Sequence, residues 1–124
     1  METLERKHLI NSYKLMQNHL GHERGSRFMF LNMPILERHH RRVDPILNII
    51  KKYMGKDGAA FVESNPLIFL MDHNLMEANF ERIHKSIGRA MGNKLISRYP
   101  FILEYNHRDI AIIVKHPIQL RRKG

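Results

Sequence analysis

The chain has 124 residues, 43% of them hydrophobic, which suits one folded domain around one core and excludes a disordered chain. Twenty-one Lys and Arg against twelve Asp and Glu leave a net charge of +9, so the favoured partners are polyanions: nucleic acid, an acidic protein or an anionic surface. Cysteine is absent, which excludes disulfides, thiolate catalysis and cysteine-based zinc sites and fits an intracellular, reducing compartment.

The N-terminal segment carries Glu2 and Glu5 and no apolar stretch of the kind a secretory signal needs, and it is too acidic for a transit peptide. Leu9, Tyr13, Met16 and Leu20 then fall at helical spacing and predict a helix that stops at Gly21. Pro34 follows, with Ile35 and Leu36 directly behind it and the basic cluster His39-His40-Arg41-Arg42 next. Asp44 before Pro45 predicts a helix start, an N-cap with proline at the first helical position. From there Ile46 or Leu47, Ile50 and Met54 make one stripe, with Lys51 and Lys52 outside it, up to Gly55. A short second helix is predicted over 57–64 with Asp57 as its cap, ending before Pro66 and its apolar run Leu67-Ile68-Phe69.

Asn74 with Glu77 resembles a capping box, and Met76, Phe80, Ile83 and Ile87 form the buried stripe of the helix it opens, leaving Arg82 and Lys85 outside. Gly88 ends that helix, Arg89 follows, and a second helix over 91–98 leads to Pro100 and Phe101-Ile102-Leu103. Asn106 with Asp109 is a weaker cap for the last helix. The β-branched run over 111–116 is read as helical because of its place in the pattern. The tail carries Arg121, Arg122 and Lys123 with no acidic residue nearby.

Pro34, Pro66 and Pro100 are 32 and 34 residues apart, and Gly21, Gly55 and Gly88 precede them by 13, 11 and 12. Such a period marks an internal helical repeat, since one helical pair cannot bury its apolar face alone and stacked pairs can. Each proline would end a second helix and turn a corner, and the hydrophobes behind it would plug the gap before the next pair. The expected fold is all-α: a short right-handed stack of about three repeats, units 1–33, 34–66, 67–99 and a partial 100–116, in one domain with a basic tail at 117–124.

The pattern "NPLIF…IHKSIG…LISRYPFIL" resembles the repeat of the mitochondrial transcription termination factor family, over residues 20–116 and most strongly over 62–104. That resemblance implies repeats of two α-helices and a short 3₁₀ turn, stacked into a curved superhelix. It also implies binding of double-stranded DNA, or action on ribosomal RNA, through a basic concave surface, and a mitochondrial location. Members of the family are usually longer and begin with an organellar presequence, a pattern this N-terminus does not follow.

The charge excess is spread over the units, +2, +2, +2 and +3 from first to last, as a surface tracking a phosphate backbone requires. The candidate nucleic-acid contacts are Arg41, Arg42, Lys51, Lys52, Arg82, Lys85, Arg89, Arg121, Arg122 and Lys123. Aromatic stacking is expected to be minor: Phe80, Tyr99 and Phe101 fall at positions expected to be buried, leaving Tyr53 and Tyr105 as exposed rings. Duplex DNA or structured RNA is therefore preferred over single-stranded bases. The competing reading is a small basic adaptor that binds an acidic surface of a polymerase or ribosome; the eight methionines suit an adaptable apolar groove, although Met71, Met76 and Met91 fall at helix interfaces where core packing is the usual role.

No catalytic, cofactor or metal site is expected. His19 and His22 straddle the Gly21 helix stop, and the adjacent His39 and His40 point apart, so neither pair makes a zinc site. Nucleophile-elbow, phosphate-loop and dinucleotide motifs are missing. A run of eighteen apolar residues is also missing, so no membrane partner is expected.

Overall fold

The structure is a computed structural model that describes residues 4–115. Every regular element among them is helical, with no strand. The chain divides into two compact units, one up to His73 and one from Asn74.

The first unit contains α1 (Leu4–Leu20), α2 (His22–Arg38), α3 (His40–Met54) and α4 (Gly58–Ser64), with 3₁₀ turns at Gly55–Asp57 and Pro66–Leu70. Helix α1 packs along α2 and also meets α3 and α4, while the Pro66 turn sits against α2 and α3. Their apolar stripes meet in a core that includes Met16, Phe28, Leu36, Ile46, Ile50 and Phe69. Phe28 and Phe69 meet edge to face at 6.1 Å. The second unit contains α5 (His73–Ile87), α6 (Arg89–Arg98), a 3₁₀ turn at Pro100–Glu104 and α7 (His107–Lys115). Met76, Phe80 and Ile83 of the predicted stripe are buried and Ile87 at its end is half-buried; Leu95, Ile96 and Leu103 are buried as well.

Several local geometries recur along the chain. Gly21 and Gly88 carry positive φ (95° and 84°) at the corners between α1 and α2 and between α5 and α6. That region favours a residue without Cβ. Asn65 and Tyr99, before Pro66 and Pro100, have nearly identical backbone angles (φ −135°, ψ 66° and φ −129°, ψ 72°). Proline forces its predecessor out of the helical region, so the preceding helix ends there. The turns that follow share one burial pattern: Leu67 and Phe101 point outward, while Ile68-Phe69 and Ile102-Leu103 go inward. The apolar run behind each of these prolines is thus a plug made of its second and third residues.

A second set of glycines, Gly25, Gly58 and Gly92, permits close helix contacts. A Cβ on Gly25 would lie 2.6 Å from Gln17 Cα and 2.7 Å from the Met16 carbonyl oxygen. On Gly58 it would meet Ile50 Cγ2 at 2.8 Å, and on Gly92 His84 Cδ2 at 2.8 Å. The residue after two of these glycines ties the same crossing: Gln17 Nε2 donates to Ser26 Oγ at 2.9 Å, and His84 Nε2 lies 2.7 Å from Asn93 Oδ1.

Three sequence expectations are corrected. Pro34 does not open a turn; it lies inside α2, which runs on to Arg38. The distortion falls two residues earlier, at Asn32 (φ −121°, ψ 19°), whose side-chain amide donates to the Phe28 carbonyl at 2.9 Å. That bond satisfies the Phe28 carbonyl at the kink, which lies just ahead of the proline. Asn65 makes the same bond to Phe61, also at 2.9 Å, and there the helix does stop, because Pro66 follows immediately.

Asp44 and Pro45 do not start a helix. Helix α3 begins at His40, directly after the His39 N–H closes α2 on the Ile35 carbonyl (3.0 Å), and carries Pro45 in its interior. Asp57 stands before α4 in helical geometry without a side-chain capping bond. The weaker expected cap is present: the Asp109 N–H donates to Asn106 Oδ1 at 2.9 Å.

Candidate nucleic-acid interface

Of the ten basic residues singled out from the sequence, Arg121, Arg122 and Lys123 lie outside the described residues. The other seven divide into cations held by the fold and cations left to solvent. In the first unit, Arg42 donates through one guanidinium nitrogen to the Leu70 and Met71 carbonyls, where the Pro66 turn ends. A guanidinium there satisfies carbonyls that a short 3₁₀ turn leaves open. Arg42 is thus a structural tie as well as a charge.

In the second unit, buried Asn79 solves the same problem for the Pro100 turn. Its Nδ2 donates to the Leu103 carbonyl at 2.9 Å and the Tyr105 carbonyl at 2.8 Å. Arg82 completes the arrangement by donating to Asn79 Oδ1 at 3.1 Å. An amide with both nitrogen protons and its oxygen engaged is well matched to burial. Lys85 pairs with Glu81 one turn back at 3.5 Å, an exposed i,i+4 pair of small worth. Lys52 sits 5.0 Å from the centre of the Tyr53 ring, which is itself buried.

Arg41, Lys51 and Arg89 are exposed and form no hydrogen bond or ion pair among the described residues. Arg41 and Lys51 belong to the first unit and Arg89 to the second. Lys51 lines a cleft of about 520 Å³ between α1 and α3, together with Asn18, His19, Asp44, Asn48 and Lys56. Lys51 lies in the last turn of α3, where the helix C-terminus favours a cation. His19 Nε2 is buried there without a hydrogen bond of good geometry. Burial lowers the His19 pKa; the Gly58 backbone opposes that and Lys51 adds to it.

His40, beside Arg41, stacks flat on His8 with ring centres 3.9 Å apart. Its pKa is lowered by desolvation, by His8 and by Arg41. In the first unit Arg24 and Glu63 pair through two bonds of 2.8 and 2.9 Å. It raises the arginine pKa and holds the Glu63 carboxyl below the usual range. No cluster of three or more metal-ligating side chains occurs among the described residues, and no helix among them is long and apolar enough to cross a membrane.

The aromatic reading also changes. Tyr53 is buried, whereas Phe101, Tyr99 and Tyr105 are exposed, and Phe30 is the most exposed large hydrophobic among the described residues at 77%. Phe101 points outward because it occupies the first position after proline, which faces solvent in both 3₁₀ turns. Asn79 and the glycines at 25, 58 and 92 were missed by the sequence reading. The glycines alone carried a signal, a spacing of 33 and 34 residues. No family model, curated protein or solved structure matches the chain.

Proposed function

We propose that this chain is a nucleic-acid-binding helical-repeat protein that holds duplex DNA or structured RNA through its phosphate backbone, in the manner of the mitochondrial transcription termination factor family. On this reading the helical pairs form a right-handed stack, and the protein acts in gene expression by binding rather than catalysis. The observation that carries the proposal is the charge excess of +9 spread over every unit of a chain whose turns and helix crossings recur at intervals of about 33 residues. A net charge so distributed draws a polyanion along the chain rather than to one point.

Arg41, Lys51 and Arg89 are the contacts with side chains free to reach phosphates, with Lys52 and Lys85 beside them. Arg42 and Arg82 contribute charge from fixed positions. The exposed rings at Tyr99, Phe101 and Tyr105 leave room for a stacking contribution at unpaired bases.

The test is a salt titration against duplex DNA, structured RNA and single-stranded DNA. Four to six phosphate contacts give a slope of log affinity on log salt of about −4 to −5 on duplex DNA. Arg41→Ala flattens the slope by about 0.9 and weakens all duplex sequences alike, because backbone contacts carry no base information. Undetectable binding to all three at low salt removes the proposal and leaves the acidic-protein adaptor reading in its place.

A further inference from the structure

Phe30 and Leu31 are 77% and 67% exposed, side by side in the middle of α2. The fold does not ask for hydrophobes there. Thirty-three residues on, after Phe61 and Val62, which are buried like Phe28 and Met29, the same two positions are Glu63 and Ser64. Another thirty-four residues on, after buried Leu95 and Ile96, they are Ser97 and Arg98. At each of these four positions the side chain faces solvent. A large apolar pair where its counterparts are polar marks a surface that meets something.

The charges around the pair say what it meets. The exposed face of α2 carries Glu23, Arg27, Phe30, Leu31, Pro34, Glu37 and Arg38. About a centre between Phe30 and Leu31, Glu23 is the mirror position of Arg38, and Arg24 that of Glu37. Reversing the helix therefore sets Glu23 opposite Arg38 and Phe30 opposite Leu31, while Glu37 comes opposite Arg24, whose guanidinium is already held by Glu63. Glu23, Glu37 and Arg38 have no hydrogen bond or ion pair among the described residues, so they are available for such contacts.

We propose that α2 is a self-association face, on which two copies of this chain pair their α2 helices antiparallel across a two-fold axis at Phe30 and Leu31. An isologous interface must be its own complement, and an antisymmetric charge pattern around an apolar centre satisfies that condition. Even a straight helix of 17 residues would span only about 25 Å, and α2 is kinked at Asn32, so the contact is small for a permanent dimer. A positive charge of +9 on each copy weakens it further. A weak, reversible dimer follows. This surface is independent of the proposed phosphate contacts.

Sedimentation equilibrium of the full chain without nucleic acid, from about 5 µM to about 1 mM, tests it across the range where a small interface saturates. The mass average is expected to climb from monomer toward dimer. Phe30→Glu with Leu31→Ser, the residues carried at the matching positions of α4, keeps the helical circular dichroism and holds the chain monomeric. Glu23→Arg alone and Arg38→Glu alone each weaken association at least about fivefold, since each pair occurs twice in the dimer. The two changes together restore it. A chain that stays monomeric throughout, a dimer indifferent to the Phe30 and Leu31 changes, or a double charge swap no better than either single one overturns the proposal.

Discussion

Replacing Gly25 with Ala tests whether the crossing of α1 and α2 depends on a missing side chain. The new Cβ would lie 2.6 Å from Gln17 Cα, and ordinary contact begins at 3.4 Å, so the helices must part by about 0.8 Å. The obstacle is backbone on both counts, since the next atom met is the Met16 carbonyl oxygen at 2.7 Å, and no rotamer change relieves it. A gap of that size forfeits roughly a quarter to a half of the dispersion energy of the contacts it opens. Overpacking of this kind costs about 1–3 kcal/mol, and the upper end applies when backbone must move.

Against that, alanine in a helix interior gains about 0.5–1 kcal/mol over glycine. The expected net loss is about 2 kcal/mol. Urea unfolding followed by circular dichroism measures it. In a thermal melt it appears as a fall of about 8 °C for a chain this size. Gly92→Ala is the matched control: its Cβ meets the His84 and Ile83 side chains, which can yield, so its loss should stay near or below about 1 kcal/mol. A Gly25→Ala protein as stable as the parent would show that α1 and α2 do not cross at this distance.

Phe80→Ala removes a fully buried ring and should cost about 3–5 kcal/mol by urea unfolding; a loss under about 1 kcal/mol would contradict its place in the core. Arg42→Ala should cost about 1–3 kcal/mol by exposing the Leu70 and Met71 carbonyls, while Arg41→Ala next door leaves stability within about 0.5 kcal/mol; equal effects would remove the distinction between tie and free cation. His19 and His40 both have folded pKa values below 6.5, so the unfolded chain binds more protons than the folded one. Stability is therefore fully present above pH 6.5 and declines as pH falls through the folded values. A melting series from pH 7.5 to 5 should show this, with the decline reduced in His19→Gln and His40→Gln.

The sequence by itself determined the all-α class, the helical faces and two of the three proline corners. Those features are set within a few residues: apolar spacing decides which side of a helix can be buried, and proline directly after a helix denies helical angles to the residue before it. Hence Phe80 and Ile83 were legible as core, and Pro66 and Pro100 as turn starts.

What the tertiary structure decided is what each residue meets. Pro34 lies inside α2, with the distortion taken up two residues earlier at Asn32, so α2 continues where the spacing foretold a corner. Arg41 and Arg42 are adjacent and identical in sequence, yet one reaches solvent and the other holds two carbonyls 28 and 29 residues away. Asn79 became a buried hub because the Pro100 turn brings the Leu103 and Tyr105 carbonyls to it, a demand no local pattern expresses. Phe101 was expected inside because it is apolar; the pitch of a 3₁₀ turn sends the first residue after proline outward and the next two inward. Partners across a fold are chosen by distance in space, and the linear chain encodes that distance only through the whole of its packing.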